Sequence, residues 1–199
     1  MPQPLSSPLE LWLVRHGETE WSKAMRHTGR TDVPLTEAGR RRTRGLALLL
    51  GSQAFDQVLC SPLLRARETA RLAGFGERIR LDEDIAEWDY GDFEGRTTVE
   101  LAQELGGFSI WTTPVTGGET LQQVAARADR VLARLETGGG RHLLFSHGHL
   151  LRILTARWLD LPPDAGRLFA LDAGGVSMLG LEHDTRVMRA WNLSPCIPA

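Results

Sequence analysis

Cysteine is scarce. The 199 residues hold two, Cys60 and Cys196. Their separation matches no metal-ligand spacing, and two cysteines build no disulfide framework. Cys60 ends an apolar run and reads as a small buried residue. An excess of one charge is also missing. The formal net charge is -2, which excludes a general attraction to nucleic acid or to a membrane surface. Any affinity for anions must come from local basic clusters. No apolar run is long enough to span a bilayer. No signal-peptide pattern, internal repeat or low-complexity segment is present. The expected setting is a reducing cytoplasm, with neither nucleic acid nor membrane as partner and with the oligomeric state left open.

The chain is otherwise ordinary for a soluble globular protein. Its length suits one domain, residues 1–199, with a small insertion at about 96–118, and can bury a substantial core. Met1 to Pro8 is rich in Pro and Ser and reads as a frayed start. Strands are expected at Leu9–Val14, Phe55–Cys60, Ile79–Leu81 and His142–Phe145, with late strands at Leu168–Leu171, Val176–Leu181 and Val187–Trp191. Between them, Thr36 caps a helix reaching about Leu50, and Ser61-Pro62 opens another that ends near Gly74. Thr98–Leu105 is a short helix, Glu119–Glu136 a long amphipathic one, and a last helix runs from the His147 region through Trp158. Glu18–Thr31 and Ile85–Gly95 read as loops. Strands alternating with helices imply an α/β protein, a three-layer α/β/α sandwich on a mixed, mainly parallel sheet.

The organising stretch is LWLVRHGETEWS, Leu11 to Ser22. A strand buried on both faces ends on Arg15, His16 and Gly17. Unpaired charge is costly there, so the pattern makes sense if an anion sits at the strand end. Arg15 offers bidentate donors suited to phosphate. His16 then stands at the anion as nucleophile, base or ligand. The triplet alone is common by chance. Its weight comes from the fourth strand, which ends on Ser146-His147-Gly148-His149, and from Arg65 on the first turn of the helix after the second strand. Ligands of open α/β sheets bind beyond the carboxyl ends of the strands. The loop after the third strand brings acidic residues. On chemistry alone Glu83, Asp84, Glu87, Asp89 and Asp92 are equivalent.

The blocks RHGETEW, TGRTDVPLTEAGR, SPLLRARETA, EWDYGDFEG, GGET and SHGH, in this order, resemble the histidine phosphatase superfamily, the phosphoglycerate mutase-like family. The resemblance covers nearly the whole chain. It implies that His16 is a nucleophile that becomes phosphohistidine. Arg15, Arg65 and His147 would hold the phosphoryl oxygens, and Glu87 would protonate the leaving group and then activate water. Phosphoryl transfer needs its equatorial oxygens neutralised and its nucleophile in line. Fixed cationic and imidazole donors supply this without a metal or cofactor. The motifs are closest to the sedoheptulose-1,7-bisphosphatase-like and small actinobacterial phosphatase branch.

That closer resemblance implies a substrate side lined by Ser22, Thr28, Gly29, Trp88, Tyr90, Gly148, Arg152 and His183, with Arg152 meeting a second phosphate or carboxylate. Trp88 and Tyr90 read equally as core aromatics, Arg152 as a surface helix charge and His183 as a solvated strand-end residue. His149 reads as orienting its loop. Ser22 stands where the mutases of the family carry Asn, which argues against mutase activity. The expected function is a metal-independent phosphomonoesterase acting on small phosphorylated metabolites, sugar phosphates or bisphosphates. The alternatives are a phosphoglycerate mutase, a non-catalytic phosphate-binding module, and remotely a metallohydrolase using His147, His149 and Asp172.

Overall fold

A computed structural model describes residues 9–194; the expected frayed start and Cys196 lie outside them. In chain order the elements are β1 (Glu10–Arg15), α1 (Glu20–Lys23), α2 (Glu37–Arg44), α3 (Leu46–Leu50), β2 (Gln57–Cys60), α4 (Leu64–Leu72), β3 (Ile79–Leu81), α5 (Thr98–Leu105), α6 (Leu121–Gly138), β4 (Arg141–Ser146), α7 (Gly148–Trp158), β5 (Val176–Glu182) and β6 (Thr185–Leu193).

Alternation along β1 decides what each face of the sheet buries. Leu11 and Leu13 join Leu59 and Leu144 in one core, packed with α6, α7 and the aromatic loop that carries Trp88 and Tyr90. Trp12 and Val14 join Val58, Cys60, Leu143 and Phe145 in the other, packed with α3 and α4. Helices therefore cover both faces, giving the expected three layers. Burying each such Leu, Val or Phe side chain contributes about 1.5–3 kcal/mol, so the two cores fix the strands firmly. The sheet has six strands in the order β3-β2-β4-β1-β5-β6. The first four run parallel, and β5 and β6 are antiparallel additions at the β1 side.

This order positions the site. β1 and β4 are parallel neighbours with Arg15 opposite Ser146, so His16 and His147 leave the same end of the sheet side by side. β2 flanks β4 on the other side and delivers α4, with Arg65 in its first turn, to that same end.

Four local expectations are corrected. The helix expected to run unbroken from Thr36 is capped there as foreseen, but divides at Gly45 into α2 and α3. The Gly45 amide bonds back to the Arg42 and Thr43 carbonyls, a tightened turn at a residue with no side chain to pack. Within Glu18–Thr31, Thr19 and Ser22 form a reciprocal capping box that folds one helical turn, α1. α4 begins at Leu64, leaving Ser61 and Pro62 before the helix. Leu168–Leu171 is no strand. Its carbonyls serve side chains instead, with Leu171 accepting from Arg15 at 2.5 Å and Ala170 from the Trp191 indole at 2.5 Å.

Candidate active site

His16 is 4% exposed at the end of β1. Its Nδ1 lies 2.8 Å from the Gly17 carbonyl. A carbonyl only accepts, so Nδ1 carries the proton and Nε2 keeps its lone pair. Burial, reinforced by the charges of Arg65 and Arg15, holds the imidazole pKa well below 6.5. The ring is thus neutral, with a nucleophilic nitrogen available to the cavity it lines. Gly17 itself is fixed by its amide, which donates to the Thr69 hydroxyl at 2.9 Å.

His147 is fully buried, its ring 5.2 Å from that of His16. Its Nε2 is 2.7 Å from the Ser61 hydroxyl. Burial, with Arg65 and His16 next, keeps it neutral as well. A neutral imidazole has one N–H. The Ser61 hydroxyl already accepts from the Leu63 amide and has Nε2 as the acceptor for its own proton among the described residues, which puts the ring proton on Nδ1, buried there without a partner. Arg15 Nε and Arg65 Nε are buried in the same unpartnered condition. Burial lowers the pKa of both guanidiniums, while Glu87 acts against it. Three orphaned donors at one strand end fit an oxyanion with several acceptor oxygens.

Arg65 also organises the loop before it. Nη1 donates to the Thr31 carbonyl at 3.0 Å, and Nη2 to those of Thr28 and Gly29 at 2.9 and 2.8 Å. The amides of the same turn are taken by Glu94, from Gly29 at 2.9 Å, Arg30 at 3.3 Å and Thr31 at 2.7 Å. The turn is gripped from both sides. Gly29 is required because a side chain there would start 2.7 Å from the Trp88 carbonyl.

Glu87 is 4% exposed and caps α7 from outside the helix. Oε1 accepts from the Leu150 and Trp88 amides at 2.9 and 3.0 Å, and Oε2 from the His149 amide at 3.1 Å. Its loop is held from beneath by Arg127, which donates to the carbonyls of Asp84 and Ala86 at 2.8 and 2.9 Å and to that of Glu87 at 3.3 Å. The Arg127 fork also grips Glu119 through both carboxylate oxygens, each at 2.8 Å.

A cavity of about 510 Å³ opens over this end of the sheet. Its walls include Arg15, His16, Ser22, Thr28, Glu87, Tyr90, Gly148 and Arg152, together with His27, Phe108, Ile110, Trp111 and His149. Arg65 and His147 are fully buried in its floor region rather than in its walls. The Ser22 hydroxyl lines the cavity but is engaged in the α1 capping box. The Arg152 guanidinium lies 4.8 Å over the Trp111 ring. Nε and Nη2 donate to the Gly166 and Arg167 carbonyls at 2.9 and 3.1 Å, leaving Nη1 for a ligand.

Three expected substrate-side residues are not brought there. Trp88 is 1% exposed, stacks on Tyr90 and donates its indole N–H to the Glu119 carbonyl at 2.7 Å, so it is a core aromatic. Gly29 shapes the Arg65 turn and does not line the cavity. His183 is exposed in the β5–β6 turn, at φ 54°. Because Gly180 pairs with Glu10, His183 lies beyond the first residue of β1, whereas His16 follows the last. Sequence reasoning missed Ser61, Glu94 and Arg127. Ser61 and Glu94 stand in quoted motif blocks, but Arg127 sits in a plain amphipathic helix and gave no signal. Among the described residues no cluster of three or more His, Cys, Asp or Glu side chains is placed to hold a metal ion. No helix there is long and apolar enough to cross a membrane.

Comparison with known proteins gives concordant matches. A family model described as histidine phosphatase superfamily (branch 1) matches residues 11–194. An acid phosphatase of Mycobacterium tuberculosis is 40% identical over 188 residues, 92% of this chain and 92% of that protein. The sedoheptulose 1,7-bisphosphatase of Saccharomyces cerevisiae is 35% identical over 185 residues, 75% of this chain and 67% of that protein. A solved structure of a functionally characterised open reading frame from Mycobacterium tuberculosis superposes with a TM-score of 0.89 at 38% identity, covering 94% of this chain and 99% of that one.

Proposed function

This chain belongs to the histidine phosphatase superfamily, branch 1, and is a phosphatase, and from that premise we propose that it hydrolyses monoesters of small phosphorylated metabolites, sugar phosphates or bisphosphates, through a phosphohistidine on His16. The observation that carries the reading is a neutral His16 with its proton fixed on Nδ1 and its Nε2 lone pair available to a cavity shared with Arg15 and Glu87.

In the first step the Nε2 lone pair attacks phosphorus and the ester P–O bond breaks. The departing oxygen takes a proton from Glu87. Arg15, Arg65 and the His147 Nδ1–H neutralise the equatorial oxygens as charge shifts onto them. In the second step Glu87 removes a proton from water, the water oxygen bonds to phosphorus, and the N–P bond breaks to release phosphate. His16 returns to its neutral form and Glu87 to its protonated form. No step needs a metal. The chain acts as one unit, with residues 96–118 as a small insertion that carries part of the cavity wall. The free Nη1 of Arg152 supports a second anionic group on the substrate.

The relative named as a sedoheptulose bisphosphatase supports the bisphosphate class. The test is release of inorganic phosphate by purified protein from sedoheptulose-1,7-bisphosphate, fructose-1,6-bisphosphate and 3-phosphoglycerate. Hydrolysis of the sugar esters in the presence of chelator is expected. Conversion of 3-phosphoglycerate to its isomer without phosphate release would replace the reading with a mutase.

A further inference from the structure

The catalytic steps above leave the imidazole of His149, partly buried in the cavity wall, without a task. His149 lies in the first turn of α7 and lines the cavity. Its Nδ1 is 2.6 Å from the Tyr90 hydroxyl. Tyr90 is 1% exposed, and burial, with the Glu87 charge, pushes its pKa well above 10. The phenol therefore keeps its proton. Nδ1 is the acceptor bonded to it among the described residues, so the hydrogen bond runs from Tyr90 to His149. Burial, then the charges of Arg152, His27 and Arg15, hold the His149 pKa well below 6.5. A neutral ring with Nδ1 accepting has its single proton on Nε2. Nε2 has no partner among the described residues.

Around this donor the wall is aromatic. The Trp111 ring lies 5.2 Å from that of His149, tilted by 59°, and Phe108 lines the same cavity. On its other side the His149 backbone amide donates to Glu87 Oε2. One residue thus holds the carboxylate assigned to the leaving oxygen through its amide and lines the same cavity with its ring.

We propose that His149 is a specificity-determining residue whose Nε2–H donates to a hydroxyl oxygen of the leaving alcohol, close to the oxygen that Glu87 protonates. Tyr90 is the positioning residue that fixes the tautomer. The substrate class is then the phosphate ester of a polyhydroxy alcohol. Such molecules carry hydroxyls at their edges for the donor and C–H faces for Trp111. An alkyl ester would cover the His149 N–H without pairing it, and sites built to bond a hydroxyl reject ligands that lack one. The inference rests on the proposed use of Glu87 and sharpens the substrate class proposed with it.

The test compares glycerol 3-phosphate with propyl phosphate, which share a three-carbon primary leaving group and differ in hydroxyls. Wild type is expected to favour glycerol 3-phosphate in kcat/KM. In His149→Phe the ratio of the two kcat/KM values should fall by roughly 3- to 10-fold, the worth of one neutral hydrogen bond, with the change carried by KM. Tyr90→Phe should lower the ratio less. It should also convert the His149 side-chain 15N signals from a single Nε2–H tautomer to a mixture. A wild type that hydrolyses both esters equally well overturns the inference and leaves the phosphatase reading intact. A wild type that releases phosphate from p-nitrophenyl phosphate but from neither of these esters overturns the substrate class together with the inference. The wild-type 15N spectrum decides independently of any variant's folding: a proton on Nδ1 of His149 overturns the proposal.

Discussion

Glu87 carries two duties on one carboxylate. Its oxygens accept from three backbone amides, those of Trp88, His149 and Leu150, and the same group is the proposed acid and base. Glu87→Gln keeps an acceptor at Oε1 but turns an NH2 toward an amide donor. It should therefore lose about 1–3 kcal/mol of stability from the unpaired buried donor, read by urea unfolding. The chemical loss is separable by leaving group. First-step transfer from a sugar phosphate should slow by about 10²–10⁴-fold, the usual worth of general acid catalysis, while p-nitrophenol, which departs as an anion, should be spared. Equal single-turnover losses for both would remove Glu87 from the acid role. Arg152 gives a second residue-scale prediction. Arg152→Ala should raise KM for a bisphosphate by about 10- to 150-fold more than for p-nitrophenyl phosphate, since a charge-assisted bond is worth roughly 1.5–3 kcal/mol. Equal rises would return Arg152 to its packing on Trp111 and the Gly166 carbonyl. At this scale the sequence was legible where chemistry is local. Arg15, His16 and His147 follow directly from strands that end on charged or imidazole side chains. Glu87 was one acid among five until the family pattern selected it, because a carboxylate's partners are set by a helix that starts sixty residues later in the chain.

Elements bring those partners together, and the α6 helix shows how. Its Arg127 ties the Asp84–Glu87 backbone to Glu119. Arg127→Ala leaves the half-buried Glu119 carboxylate and three carbonyls without their donor. A loss of up to about 3–5 kcal/mol is expected, the upper end being the cost of breaking a fully buried pair from one side, together with reduced activity through a displaced Glu87. Arg134 lies on the same helix, about half exposed, and bridges Asp82 and Asp84 at the surface. Arg134→Ala should cost under about 1 kcal/mol. Similar losses in the two variants would show that the helix, and not the clamp, matters. Most elements were readable from periodicity, and α5 and α7 end at Leu105 and Trp158 as expected. The misreadings share a physical cause. Gly45 divides a helix whose buried side, Gly39, Thr43, Leu46 and Leu50, continues across it, and Leu168–Leu171 has strand-like residues whose carbonyls are claimed by Arg15 and Trp191. Such distant side-chain donors leave no mark on local pattern. Arg127 was invisible for the same reason, and His183 was misplaced because an antiparallel strand carries its far end away from the site.

For the whole molecule, holding His16, His147 and the partly buried His149 as neutral rings has a consequence for stability. All three have folded pKa values held well below 6.5, first by burial. The unfolded chain binds protons on them near the ordinary imidazole value while the folded one does not. Their contribution is fully present above pH 6.5 and is lost as pH falls from there toward the folded values. The slope is about 1.4 kcal/mol per pH unit for each group. Thermal unfolding should show a Tm that falls steeply between neutral pH and pH 5, more steeply than in a variant with His149 replaced by Phe. A flat profile would mean that these rings charge without penalty in the folded state. Inorganic phosphate should raise Tm by mass action on the cationic strand end, and the rise should shrink in Arg15→Ala. Turnover should survive EDTA unchanged, and inhibition reversed by a divalent ion would contradict the donor set assigned to the phosphoryl oxygens.

The covalent step is tested most directly by trapping. Glu87→Gln mixed with p-nitrophenyl phosphate should give a burst of p-nitrophenol and then a slow steady state, because the phosphoryl enzyme forms but water is not activated. Quenching during that steady state under alkaline conditions, followed by intact-protein and peptide mass spectrometry, should find one phosphoryl group per chain on His16. The same protein also carrying His16→Ala should show neither burst nor label. A phosphoryl group on any other residue, or a burst that persists without His16, would contradict the account.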